Sequence, residues 1–220
     1  MTNMMNTNNP KLSVAIPTHE MKDGERFFKR CLDSLWNQTF QDFEIVVTDN
    51  SDNEVIENIC KEYGGIRYIR NPEKGMAPNT NCAIKNSKGE LIKILYMDDY
   101  LLHNKVLAFI AKKGKWSNWI INGSDNNFAP CWTEDIHLGN NKLGSPSTLT
   151  MINEDPPLFD ENLTWLLDCD LYKRLYERYG EPYIMVGNHI GIGVGDHQMT
   201  HLISNERKLQ EHDYLTKKYE

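Results

Sequence analysis

Asp98 and Asp99 stand side by side at the end of a mostly apolar run, Leu91-Ile92-Lys93-Ile94-Leu95-Tyr96-Met97. The run is short, rich in Ile and Leu and introduced by Lys88-Gly89, so it reads as a buried strand. The carboxyl end of such a strand is where open α/β sheets place their ligands. Two neighbouring carboxylates there suit Mg²⁺ or Mn²⁺, which keep several waters and share their coordination with substrate phosphates. The plainer reading of the same pair is an acidic turn capping a core strand. Asp168 follows Trp165, Leu166 and Leu167, apolar neighbours that raise a carboxyl pKa towards the range of a general base. Its alternative is a cap for a helix beginning near Leu171, for which Asp170 is better placed. His197 and His201 are four apart and on a helix would share a face, as a metal site needs. No Glu follows the first His, so the zinc-protease motif is absent, and surface or capping histidines are the alternative.

The elements that would position these groups alternate in type. Leu12 to Ile16 forms a short buried strand stopped by Pro17, and Arg26 to Gln38 carries Phe28, Leu32, Leu35 and Trp36 at helical spacing. Phe43 to Thr48 is a second strand ending at Asp49, Asn53 to Tyr63 a helix closed by Gly64-Gly65, and Ile66 to Ile69 a third strand. After Asn71-Pro72, Pro78 to Asn86 makes a short helix before the run that ends in Asp98-Asp99. This alternation is the pattern of a mostly parallel sheet with right-handed crossovers, an α/β fold flanked by helices. Beyond it the pattern loosens. Lys105 to Lys112 and Leu171 to Tyr179 read as helices and Trp119 to Asn122 as a strand. Gly123 to Gly144 reads as turns and short strands, Asn188 to Gly195 as a Gly-rich loop, and Gln198 onwards as charged helix. No linker separates the halves, so they are expected to share one core: a disordered tail over 1–10, one domain over 11–205 (halves 11–102 and 103–205), and a helical tail over 206–220.

Four polar segments fall at or just beyond strand ends: Pro17-Thr18-His19-Glu20, Asp49-Asn50-Ser51-Asp52, Asn71 to Asn81, and Asp98-Asp99. Four in register along one sheet edge make a cleft. There is no Gly-x-Gly-x-x-Gly after the first strand and no Gly-Lys-Ser/Thr loop, which removes the dinucleotide fingerprint and the P-loop. With 220 residues, 40% hydrophobic and 25% charged, the composition is that of an ordinary globular protein. The net charge of -7 argues against a nucleic-acid partner. No apolar run approaches a membrane span and no signal sequence is recognisable, so no transmembrane segment is expected. Five scattered cysteines without a Cys-x-x-Cys pair read as reduced, mostly buried thiols in a cytoplasmic protein.

Taken together, Ser13-Val14-Ala15-Ile16-Pro17-Thr18, Val46-Val47-Thr48-Asp49-Asn50-Ser51, Gly75 followed by Asn81, and Tyr96-Met97-Asp98-Asp99 resemble glycosyltransferase family 2, with its GT-A fold. The likeness continues through Gly144-Ser145-Pro146-Ser147 and from Phe159-Asp160-Glu161 to Trp165-Leu166-Leu167-Asp168-Cys169-Asp170, covering roughly residues 11 to 205. The resemblance implies metal-assisted, inverting transfer of a sugar from a nucleotide diphosphate, of UDP or dTDP type, to a carbohydrate, glycolipid or glycoprotein acceptor. It implies that Pro17 and Thr18 line the nucleotide, with His19 and Glu20 beside them, that Asp49 bonds the base, and that Asn81 lies in the donor-pocket helix. Asp98 would meet the ribose or the metal, Asp99 and His197 the metal, and Asp168 would be the general base. The commonest family pattern has a further Asp where Tyr96 stands and a Glu where Leu167 stands.

Other readings of the residues remain open at this point. Tyr96-Met97-Asp98-Asp99 also resembles a reverse transcriptase palm. Against it stand the acidic charge, the short chain and the strand-helix alternation. A sugar-nucleotide pyrophosphorylase would begin with a Gly-rich, Arg-containing loop that is missing here. A module of the same fold that only binds carbohydrate or nucleotide sugar fits the loss of Glu at Leu167. Trp132, Trp165 and Tyr183 are candidates for stacking on sugar faces, although large aromatics are more often core.

Overall fold

The computed structural model describes residues 10–125 and 129–220. The tail expected over 1–10 therefore lies outside the described residues, except for Pro10, which is buried. The first half alternates as expected: β1 (Leu12–Thr18), α1 (Gly24–Trp36), β2 (Phe43–Asp49), α2 (Val55–Tyr63), β3 (Ile66–Arg70), α3 (Met76–Lys85) and β4 (Leu91–Ile94). There follow β5 (Tyr100–Leu101), α4 (Val106–Lys113), β6 (Trp119–Ser124), β7 (Leu149–Ile152), α5 (Leu167–Tyr179), β8 (Tyr183–Gly191), α6 (Met199–Leu202) and α7 (Asn205–Tyr219). Of the strands expected between Gly123 and Gly144, the described residues beyond β6 form none. They hold a 3-10 turn at Ile136–Leu138.

All eight strands join one sheet in the order β3-β2-β1-β4-β7-β6-β8-β5. β3, β2, β1 and β4 are parallel, β7 runs antiparallel to both β4 and β6, and β8 is parallel to β6. Because β2 and β3 lie to one side of β1 and β4 to the other, the strand order reverses beside β1. That is the point at which a crevice opens in such sheets. β1 and β2 are buried at every residue, which explains their near-continuous apolar sequence. Phe28, Cys31, Leu32 and Leu35 of α1 fall at helical spacing and are all buried. With α2 and α4 they cover one sheet face, against Leu12, Val14, Ile16, Ile45 and Val47. α3, α5 and α7 cover the other, with Ile92, Ile94, Ile121, Leu149 and Met151.

Two expectations are corrected. The helix expected from Leu171 begins at Leu167, so Asp168 and Asp170 sit within its first turn and neither is its cap. Asp170 is fully buried instead, ion-paired with Arg174 and Lys218 at 2.7 Å each, and accepts the Tyr219 hydroxyl at 2.7 Å. The second is the charged segment expected as a tail. It is helical, yet Glu211 and Leu215 of α7 are buried in the domain.

The entry into β4 is tight. A Cβ on Gly89 would lie 2.5 Å from the carbonyl carbon of Leu12 and from the nitrogen of Ser13, both backbone. The Gly89 amide donates to Ser13 Oγ at 2.8 Å, and that hydroxyl donates to buried Glu44 at 2.6 Å. Gly89→Ala is therefore expected to push β1 from β4 and cost about 1–3 kcal/mol, read as a lower urea midpoint with an unchanged slope.

Candidate active site

At the carboxyl ends of β1, β2 and β4 lies a cavity of about 830 Å³. Pro17 reaches it from the end of β1, His19 and Glu20 from the loop after β1, and Asn50 and Ser51 from the loop after β2. Tyr96 to Asp99 follow β4 into it. The second half of the chain supplies Trp165 and Asp168 around the start of α5, and Gly193 and His197 after β8.

β4 pairs only over Leu91–Ile94, so the run that carries the acidic pair leaves the sheet before Tyr96. Other groups hold it. Ser147 Oγ accepts the Tyr96 amide at 2.8 Å, Arg30 donates to the Asp98 carbonyl, and Arg30 in turn lies 4.2 Å from the Tyr100 ring centroid. Asp99 is buried and accepts the Gly193 amide at 2.7 Å. Burial and then the neighbouring Asp98 push its carboxyl up, against the pull of Ser147, the Gly193 amide and Lys93. Asp98 Oδ2 lies 3.1 Å from His197 Nε2.

These residues fit a divalent cation. Asp98 is paired with the His197 imidazole, and the carboxyl of Asp99 beside it is buried. The adjoining loop is bare backbone, since a Cβ on Gly193 would fall 2.9 Å from Asp98 Oδ2. Among the described residues no group of three or more His, Cys, Asp and Glu side chains is arranged to hold a metal. Mg²⁺ and Mn²⁺ take only one or two carboxylates from a protein and complete their shell with phosphate oxygens and water. His201 does not join His197: the helix starts at Met199, beyond His197, and His201 is exposed.

Asp168 lies in the first turn of α5. Its Oδ2 accepts the Asn141 amide at 2.9 Å and its Oδ1 the Cys169 N–H at 2.8 Å. Burial raises its carboxyl to about 6, although the Cys169 amide and Asn141 pull the other way. A carboxylate with that pKa, facing a cavity, has the properties of a general base near neutral pH. Leu167, where an acidic neighbour was sought, is buried in the core.

Three expected site residues do not line the cavity. Asp49 is fully buried, with Oδ1 accepting the Ser51 amide at 2.8 Å and the Thr18 hydroxyl at 3.3 Å. Its Oδ2 accepts from Tyr68 at 2.8 Å and pairs with Arg70 at 3.2 Å. Asp49 and Thr18 thus brace the loop that presents Asn50 and Ser51. Asn81 exchanges hydrogen bonds with the backbone of Phe159, accepting at 2.8 Å and donating at 3.0 Å. Two residues apart on a helix face opposite ways, and from α3 it is Met76 and Asn79 that line the cavity. Of the candidate aromatics, Trp165 reaches it. Trp132 stacks on Tyr176 at 3.9 Å, and Tyr183 packs under Lys113.

Sequence reasoning missed Asn141 and Ser147 as site groups, because both lie in irregular chain without periodicity. Lys93 did leave a signal, as the one charge inside the apolar run. It is fully buried, donates to the carbonyls of Ser147 and Leu149, and burial lowers its pKa to about 7 despite the Asp99 charge. Between that value and the ordinary lysine value the unfolded chain binds more protons than the folded one, so stability rises with pH across that window. Lys93→Met should remove this rise, up to about 1.4 kcal/mol per pH unit, as measured by urea midpoints from pH 7 to 9.5.

Comparison with known proteins adds to this geometry. A family model described as Glycosyl transferase family 2 matches residues 13–126, about half of the chain. Glycosyltransferase GlyA of Streptococcus pneumoniae is 26% identical over 129 residues, 54% of this chain and 18% of that protein. A β-1,3-glucosyltransferase of Campylobacter jejuni, acting on GalNAc(5)-diNAcBac-PP-undecaprenol by its name, is 30% identical over 109 residues, 47% of this chain and 34% of that one. The chain therefore spans about a third or less of these relatives' length. Among solved structures, S. aureus TarS in complex with UDP-GlcNAc superposes with a TM-score of 0.69 at 19% identity, covering 88% of this chain and 61% of that one. The mannosyltransferase PcManGT of Pyrobaculum calidifontis, in complex with GDP-Man and Mn²⁺, gives 0.69 at 14% identity over 97% of this chain and 66% of that one. At such identities these likenesses speak to the fold, which is GT-A.

Proposed function

The chain belongs to glycosyl transferase family 2, and we propose that its cavity moves a sugar from a nucleoside diphosphate to an acceptor hydroxyl, with inversion. The observation that carries this reading is a single cavity lined both by the Asp98-Asp99 pair with His197 and by Asp168, with its carboxyl lifted to about 6. A divalent cation, Mn²⁺ or Mg²⁺, held by Asp98, Asp99 and His197 would neutralise the charge of the leaving diphosphate. Asp168 is largely ionised at pH 7 and accepts the acceptor's proton as its oxygen attacks the anomeric carbon. The bond from that carbon to the diphosphate breaks, and the nucleoside diphosphate departs. One base and no paired nucleophile on its chain neighbour Leu167 support a single displacement, hence inversion.

The donor is of UDP or dTDP type, seated against Pro17, His19, Glu20, Asn50 and Ser51, with Asp49 and Thr18 bracing that wall. The acceptor is a carbohydrate, glycolipid or glycoprotein, bound beside Trp165 and Asp168. Among the described residues no helix is long and apolar enough to cross a membrane. The five cysteines are unpaired, which supports a reducing, cytoplasmic setting.

Calorimetry with UDP, dTDP and GDP, each with and without Mn²⁺, tests the donor end. Binding should strengthen with metal, and Asp99→Asn should abolish that gain; equal affinity without metal would remove the cation from the scheme. Asp168→Asn should keep donor binding while lowering nucleoside diphosphate release by about 10²–10⁴-fold. The base works only when ionised, so turnover should fall as pH drops through about 6. Asn141→Ala removes a hydrogen bond that favours the carboxylate, so this acid limb should move to higher pH.

A further inference from the structure

Glu211 on α7 is a carboxylate taken out of water, 2% exposed. Its Oε1 accepts the Thr164 amide at 2.9 Å, and its Oε2 accepts the amides of Trp165 at 2.8 Å and Leu166 at 3.0 Å. Arg207, one turn earlier, supplies the counter-charge at 2.9 Å and also donates to the Asn162 carbonyl. The Leu166 amide is among the donors that α5 leaves unmatched at its start, the other two belong to the bend before it, and no local side chain caps that helix. The cap comes from 45 residues further along the chain. The segment it grips carries Trp165 into the cavity and leads directly into Asp168. The next residue of α7 grips the same segment again: Lys208 lies 5.4 Å from the Trp165 ring centroid and donates to the Thr200 carbonyl at 2.9 Å.

We propose that Glu211 is a positioning residue for the transfer reaction, fixing the Thr164–Leu166 bend so that the Asp168 carboxylate and the Trp165 ring face the acceptor in one relation. A cap that served helix stability alone would be met by a Ser, Thr, Asp or Asn at Leu166, without the cost of desolvating a carboxylate. α7 has separate anchors at Leu215 in the core and at Lys218 and Tyr219, which bind Asp170. Three amides on one carboxylate, with a guanidinium behind it, set three successive peptide planes of the bend where a single local cap would set one.

This inference rests on Asp168 being the base, and the test keeps the two apart. The full chain is assayed for hydrolysis of whichever UDP-, dTDP- or GDP-sugar binds tightest by calorimetry, with water as the acceptor probe. Glu211→Gln offers one oxygen to three amides and turns N–H donors on the others. It should leave donor Kd and KM within about 2-fold while kcat falls 10-fold or more. Leu215→Ala loosens α7 without touching the bend. Assayed where both variants are folded, it should keep kcat near that of the parent at an equal or larger loss of Tm. If Glu211→Gln does not fold, Arg207→Ala, which strips the clamp of its counter-charge, is expected to show the same selective loss of kcat. A parental kcat in the clamp variant, or an equal fall in kcat for Leu215→Ala, would overturn the proposal. Near-parental turnover in Asp168→Asn would instead overturn the base assignment beneath it.

Discussion

Two like charges on adjacent residues at the end of a buried strand are the constraint around which this domain is arranged. Burial and then the neighbouring Asp98 disfavour ionisation of Asp99. The surrounding structure compensates by placing positive or donor groups around the motif from many parts of the chain. Arg30 comes from α1, Ser147 from the turn before β7, the Gly193 amide from after β8, and Lys93 from within β4 itself. None of these neutralises the pair outright. The pair faces the cavity, where the proposed cation would complete the charge balance.

The parts of the fold that were legible in the sequence are those whose residues face two covered sheet surfaces. β1, β2 and the run into β4 are mostly apolar because helices bury both sides, and α1 shows its stripe because only one side is buried. The acidic pair and Asp168 could be located because each follows an apolar segment that ends abruptly. What escaped was determined by partners distant in sequence. Asn81 and Asp49 are polar residues near the site by count, yet Phe159 in one case and Tyr68, Arg70 and Thr18 in the other absorb their hydrogen bonds. The early start of α5 was hidden for the same reason, since its cap is Glu211 and no local motif marks it.

The two walls of the cavity are built on different principles. The wall proposed for the nucleotide rests on parallel strands whose register is set by continuous backbone pairing from Leu12 to Thr18 against Phe43 to Asp49. Its loops are short and braced by buried polar side chains such as Asn79, which donates to the carbonyls of both Thr18 and Thr48. The acceptor side has no such lattice. Asp168, Asn141 and Trp165 are held by side chain to backbone contacts among a loop, a helix start and the last helix. Loops on a rigid scaffold are where specificity varies at least structural cost, and the division here would place that freedom on the wall proposed for the acceptor.

The position of β7 between β4 and β6 has a consequence for how the chain is made. During synthesis, β1 to β4 can pair as soon as about half of the chain has emerged, but the far edge of β4 then has no neighbour. Its partner, Leu149–Ile152, comes more than fifty residues later, and β6 cannot join the sheet until β7 is seated. For that interval the nascent domain exposes an unpaired edge of Leu91, Ile92 and Ile94, a template for pairing with other chains. Lys93, at the centre of that edge, places a charge among those three apolar residues while the strand is still open to water, and loses its solvation only when β7 closes over it.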